Sequence, residues 1–250
     1  MQTIVANTAE HFNQLGADIV AQTLTERPDA ALLVATGNTP MGMFEELARR
    51  HQAGSLNATE ARVFQLDEYV GVDDDDVRSL YGWTRRSFID PLGIPHSQVT
   101  RLRADTSDPE QARMDYESAV EAAGGIDLAI LGLGPNGHLG FNEPPCAADA
   151  PTRLIDLTEE SVVSNAVYWG GRDQVPRQAM TAGMDIIMAA RHILVVVMGA
   201  HKQDILRRTM KGPATPDVPS SWLQAAANVT ILADRAALPN ASTTHEPDAS

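Results

Sequence analysis

Cysteine, long apolar runs and positive charge are all scarce in this 250-residue chain, and each scarcity removes a class of function. The one cysteine, Cys146, excludes an internal disulfide and cannot by itself build a thiolate metal site, so a reducing, cytoplasmic compartment is expected. No apolar run approaches the ~18 residues that span a bilayer. The opening stretch MQTIVANTAEHFNQLG has no basic segment leading into an apolar core, which predicts a soluble, unexported protein. Lys and Arg number 19 against 33 Asp and Glu, for a net charge of −14 and a pI near 4.8. Nucleic acid and anionic membrane are held through clustered Lys and Arg, so neither is expected as a partner, and any anionic ligand must be held by local groups. Repeats, low-complexity segments and internal linkers are also missing. What is present is 43% hydrophobic content, enough for one large domain over 1–237, with the polar residues 238–250 expected to be a disordered tail.

Short β-rich runs punctuate the chain at 31–36 (ALLVAT), 61–66 (ARVFQL), 126–133 (IDLAILGL), 192–199 (HILVVVMG) and 228–234 (NVTILAD). Near-continuous apolar strands are buried on both faces, which predicts a mostly parallel sheet. Between them PMGMFEELARR, PEQARMDYESAVEAAG and KQDILRRTMKG carry apolar residues at helical spacing, and the last two end at a stop-signal glycine. The alternation predicts a doubly wound, Rossmann-like α/β fold with helices on both faces of the sheet. The acidic run VDDDDV (72–77) lacks the glycine and distal Glu of a calcium loop and reads as a solvated loop.

Ligands of such sheets sit beyond the carboxyl ends of the strands, so the residues after each strand are the candidates for chemistry. After ALLVAT, the turn Gly37-Asn38-Thr39-Pro40 leads into a helix. Its backbone N–H groups and the Thr39 hydroxyl suit a phosphate, and they equally suit an ordinary capped turn. After ARVFQL come Asp67 and Glu68, two carboxylates at a crevice mouth where burial would tune their proton affinity. After IDLAILGL, Gly132, Gly134 and Gly137 spell the G-x-G-x-x-G of a dinucleotide cradle, with Asp156 about twenty residues on. That cradle needs a helix opening at its third glycine, whereas Gly140, Pro144 and Pro145 come within a few residues. The segment therefore reads as a strand-end loop with no nicotinamide or flavin role, in which His138 and Glu143 are an acid–base pair.

Together VFQLDEYVGV, ILGLGPNGHLGFNEP, TAGMDIIMAARHILVVVMGAHKQDIL and PSSWLQ resemble the glucosamine-6-phosphate deaminase/isomerase family, in that family's order and across nearly the whole chain. The related 6-phosphogluconolactonases share the fold, but typically show Asp-Gly-His-Thr-Ala-Ser where this chain continues Asn136-Gly137-His138-Leu139-Gly140-Phe141-Asn142-Glu143-Pro144. The resemblance implies ring opening of an amino-sugar 6-phosphate, aldose–ketose isomerisation and release of ammonia, with no metal and no organic cofactor. It places His138 at ring opening with Glu143 as its carboxylate partner, Asn136 beside them, and Asp67 as the proton carrier between C2 and C1. Gly37, Asn38, Thr39 and Lys202 match the family's phosphate positions, with Glu68 and Gly137 as further substrate contacts.

Three departures bear on the substrate. Asn136 stands where some members have Asp. Val167 stands where many have a phosphate-binding arginine, in a segment shortened by about one residue, so Arg172 is the candidate substitute. Ala225 and Ala226 come after PSSWLQ where a histidine-containing pattern is usual. Glucosamine 6-phosphate is the expected substrate, with galactosamine 6-phosphate, a lactonase and a non-catalytic sugar-phosphate sensor as alternatives. Allosteric members pair Arg-x-Lys against an effector phosphate, and here Arg153 has Ile155 at the lysine position. Hyperbolic kinetics and a monomer or small homo-oligomer are expected.

Overall fold

The computed structural model describes residues 1–73 and 75–238. Asp74 of the acidic run, and all of the expected polar tail except Leu238, lie outside the described residues. In chain order the elements are β1 (Gln2–Ala6), α1 (Ala9–Glu26), β2 (Ala31–Val34), α2 (Met41–Gln52), β3 (Arg62–Gln65), β4 (Asp67–Tyr69), α3 (Leu80–Thr84), β5 (Val99–Thr100) and α4 (Pro109–Ala122). Then come β6 (Leu128–Gly132), β7 (Arg153–Asp156), α5 (Glu159–Trp169), β8 (Gln178–Thr181), α6 (Met184–Ala189), β9 (His192–Val197), α7 (Gln203–Lys211) and β10 (Val229–Asp234). A π-helical turn, Arg85–Ile89, continues α3.

Seven strands form one sheet in the order β1-β10-β9-β6-β2-β3-β5, every pairing parallel. The apolar runs are continuous because both faces are covered. Leu33, Phe64, Leu131 and Val195 pack with Tyr116 of α4, Ile187 of α6 and Leu206 of α7. Their neighbours Leu32, Val63, Ile130 and Val196 point the other way and pack with Phe12 and Val20 of α1, Phe44 of α2 and Phe88. The chain leaves β2 towards β3 and leaves β6 towards β9, so strand order diverges between β2 and β6. A crevice opens at such a divergence, beyond the carboxyl ends of the two strands.

A second sheet has no forerunner in the sequence pattern: β4-β8-β7, wholly antiparallel. Its strands are three or four residues long and β7 alternates half-buried and exposed positions, so they carry no long apolar run. The chain passes from the large sheet to the small one across Leu66, which turns Asp67 over the crevice. Tyr69, Phe141, Val162, Trp169 and Ala179 pack into a small core that fixes this sheet and α5 above the carboxyl ends of the large one. Thr158 caps α5 by accepting from Ser161 N, and Gly170 ends it at φ 74°. Helix α1, capped by Thr8, and the edge strand β1 are further elements that the apolar runs do not foretell.

Candidate active site

One cleft of about 960 Å³ lies at the divergence. Its floor is the loop 36–39 after β2, Asp67 after β3, residues 132–135 with His138, Gly140 and Phe141 after β6, and Lys202 after β9. Its rim is α5, the loop bearing Val77 and Arg78, and the segment from Trp83 to Arg86.

The loop after β6 settles the glycine motif. Gly134 is glycine because His138 folds back onto it: a Cβ there would sit 2.2 Å from His138 Nε2. Gly137 has φ +89°, and a Cβ on it would meet Val218 Cγ1 at 2.8 Å. Its carbonyl accepts from Ser220 N, and it does not line the cleft. Gly137 therefore turns the loop against the protein interior, and its position lends no support to the expected substrate contact. No helix begins until α5; the loop instead closes in turns, Gly134 N donating to His138 O at 3.0 Å, and presents His138 to the cleft.

His138 Nδ1 lies 3.2 Å from Glu143 Oε2 and 3.3 Å from Ser161 Oγ. An ionised carboxylate only accepts, so Nδ1 carries the proton and Nε2 is left to the cleft. The same Glu143 oxygen accepts from Asn136 Nδ2 at 2.9 Å and from Thr158 Oγ1 at 3.2 Å, while Asn136 Oδ1 takes the His138 backbone N–H. Burial opposes ionisation of Glu143, but the contacts with His138, Ser161 and Asn136 outweigh it and hold the carboxyl below its usual range. Asn136 thus acts behind the imidazole, away from the cleft lining. Thr158 and Ser161 complete the network, and their only sequence signal is the capped start of a helix. Asn142, fully buried, is pinned by Arg153 Nη1 at 2.8 Å and donates to Ala182 O, which anchors the Glu143 loop.

Asp67 and Glu68 part company completely. Asp67 lines the cleft, is 8% exposed, and burial followed by the neighbouring Glu68 charge pushes it up to about 8. Glu68 points into the protein, where it accepts from the backbone N–H groups of Tyr69, Leu80 and Tyr81 and from Gln65 Nε2. Burial raises its proton affinity in spite of those donors. With its oxygens engaged and no place in the cleft lining, Glu68 ties the 70–79 loop and the start of α3 to β4. Its expected contact with substrate finds no support in this position.

Gly37, Asn38, Thr39 and Lys202 line one end of the cleft together. Lys202 Nζ donates to Leu133 O at 2.6 Å, and burial lowers its proton affinity. Tyr168 of α5 lines the cleft together with Asn38 of this loop. Arg172 does not line the cleft: it is exposed in a short turn after α5 and bonds Glu159. Val167 is 76% exposed. The expected substitution of Arg172 for an arginine at 167 therefore finds no support in its position.

Comparison with known proteins agrees with this geometry. The sequence model of the family described as glucosamine-6-phosphate isomerases/6-phosphogluconolactonase matches residues 4–232. The glucosamine-6-phosphate deaminase of Halothermothrix orenii is 35% identical over 237 residues, 95% of this chain and 98% of that protein. That of a Geobacillus species is 37% identical over 238 residues, 95% of each. Among solved structures, a monomeric glucosamine-6-phosphate deaminase superposes with a TM-score of 0.92 at 34% identity, covering 95% of this chain and 98% of that one. The 6-phosphogluconolactonase of Trypanosoma brucei superposes at 0.76 with 19% identity, covering 94% and 97%, a likeness of fold.

Proposed function

Because the chain belongs to the family of glucosamine-6-phosphate isomerases and 6-phosphogluconolactonases, we propose that it converts glucosamine 6-phosphate and water into fructose 6-phosphate and ammonia. The observation that carries this reading is the pairing of two separate acid–base devices in one cleft: His138 backed by Glu143, and the buried Asp67. Hydrolysis of a lactone needs one base to activate water. Opening a ring at oxygen and then moving a proton between carbons needs two.

The phosphate is held at the loop 37–39, where backbone N–H groups precede α2, with Lys202 as the adjacent cation. His138 takes the O1 hydroxyl proton and delivers a proton to O5, opening the ring, while Glu143 stabilises the transient imidazolium. Asp67, as carboxylate, then takes the C2 hydrogen while the ammonium group on C2 gives a proton to O1, leaving an enolamine. The neutral Asp67, whose proton exchanges with water in the cleft, then protonates C1. An iminium at C2 results, water adds to it, and ammonia leaves. A carboxyl titrating at about 8 suits both halves, because near neutrality it takes and gives a proton at comparable cost. The chain acts as a monomer in a reducing cytoplasm, a reading supported by the monomeric structural relative and the lone buried cysteine.

The test is to incubate the protein with glucosamine 6-phosphate, galactosamine 6-phosphate and 6-phosphogluconolactone, measuring ammonia and acid. Ammonia from the first is expected. Acid from the lactone without ammonia from either amino sugar would overturn the proposal.

A further inference from the structure

The phosphate end of the cleft is short of positive charge. A phosphate monoester is close to a dianion at neutral pH. On the floor it meets one ammonium, Lys202, whose charged form burial disfavours. The chain as a whole is acidic by −14. Two guanidinium groups also line the cleft, Arg78 and Arg86, and their surroundings differ. Arg78 makes a two-pronged pair with Asp76, at 2.9 and 2.6 Å, and lies over the Trp169 ring at 4.5 Å. Its charge is already matched. Arg86 is exposed, donates through Nη2 to the Val77 carbonyl at 2.6 Å, and has no carboxylate partner among the described residues.

The segment carrying Arg86 is tied to the phosphate loop. Trp83, one turn earlier, donates from Nε1 to Met41 Sδ at 3.2 Å, and Met41 opens α2 directly after that loop. The Trp83 ring also stands edge-on to Tyr168 with centroids 5.2 Å apart, and Tyr168 lines the cleft together with Asn38. The phosphate loop, α5 and the α3 segment therefore hold a common aromatic strut, and Arg86 extends from it along the cleft rim.

We propose that Arg86 is a binding residue for the substrate's phosphate, supplying across the rim the second positive charge that the floor lacks. The proposal rests on the sugar-phosphate reading above. A guanidinium with a single carbonyl partner keeps N–H donors free for phosphate oxygens, and its charge opposes the net field of the protein where the anion enters.

The experiment measures binding of inorganic phosphate by calorimetry, without turnover, and steady-state kinetics on glucosamine 6-phosphate, for wild type, Arg86→Ala, Arg86→Lys and Arg172→Ala. Loss of one charge-assisted contact is expected to weaken phosphate binding and raise KM by about 10- to 100-fold in Arg86→Ala, with kcat within about threefold. Arg86→Lys should recover part of the loss, and Arg172→Ala should bind phosphate as wild type does. Thermal melting confirms that each variant is folded; if Arg86→Ala is not, Arg86→Lys and Arg86→Gln carry the comparison. Phosphate affinity unchanged within about twofold in folded Arg86 variants would overturn the proposal, as would failure of the wild type to bind phosphate. Phosphate binding that depends on Arg86 in a protein releasing no ammonia would uphold this inference while overturning the deaminase reading.

Discussion

The two sides of β4 hold neighbouring carboxylates in opposite circumstances. Glu68, on the inner side, is surrounded by three backbone N–H donors and the Gln65 amide, and its work is structural. Asp67, on the cleft side, is as deeply placed but lacks such a cage of donors, and it is pushed up to about 8. Burial alone therefore does not make a catalytic acid. What distinguishes Asp67 is burial without compensation at the wall of a cavity, which raises the cost of its charge until proton transfer near neutrality becomes easy. The comparison also shows how a three-residue strand can serve both ends: alternate side chains go to opposite faces, so one carboxylate fastens the strand while the other is held at the cleft.

The sharpest way to break this contrast is to neutralise the carboxylates in turn. Asp67→Asn should lower kcat by about 10³-fold or more, since the amide keeps the shape but cannot carry the proton. The same variant should be more stable than wild type. The Asp67 carboxyl titrates higher folded than unfolded, so stability falls as pH rises from near 4 through about 8. The gain in melting temperature should therefore be largest above about pH 8. Glu68→Ala should do the reverse, losing roughly 2–4 kcal/mol by stranding buried donors, while the folded fraction keeps kcat within about tenfold; urea titration and assays well below the melting point separate the two effects.

A smaller effect is expected at the other acid–base device. Glu143→Gln keeps contacts with Asn136 and Thr158 but removes the charge facing His138, so kcat should fall about 10- to 100-fold with KM little changed. Smaller again per unit of pH is the titration of Asp67 itself. The carboxylate is the active form of the free enzyme, so kcat/KM should rise about tenfold per pH unit towards a plateau above about 8. The limb is expected to vanish in Asp67→Asn. Its persistence there would assign it to another group.

Legibility in the sequence divides along the same line between large and small elements. The buried strands β2, β3, β6, β9 and β10 announce themselves as apolar runs, and their parallel order is implied by the helices between them. The second sheet does not, because strands of three or four residues bury too few side chains to leave a periodic trace. Among site residues, Asp67, His138 and Lys202 could be placed in the cleft because the carboxyl end of each strand delivers the next residues to the crevice. Glu68 and Gly137 could not be told from substrate contacts, since the face a residue presents after a strand depends on the turn, and here a one-residue step across Leu66 starts a new sheet. Thr158, Ser161, Trp83 and Tyr168 reach the site from segments distant in sequence, brought there by α5 and α3. Arg172 is near Val167 in sequence but does not line the cleft, because Gly170 ends α5 and Gly171 leads into a separate short turn.

The most direct test of Asp67 as the carrier of the C2 proton is exchange with solvent. Wild type, Asp67→Asn and Glu68→Gln are each held with glucosamine 6-phosphate in deuterium oxide, and nuclear magnetic resonance follows the C2 hydrogen of the substrate and the entry of deuterium at C1 of the product. Wild type and Glu68→Gln should replace the hydrogen with deuterium, and Asp67→Asn, still binding the sugar phosphate, should leave it in place. Exchange by Asp67→Asn at the wild-type rate would contradict the account, and loss of exchange in Glu68→Gln alone would transfer the role to its neighbour.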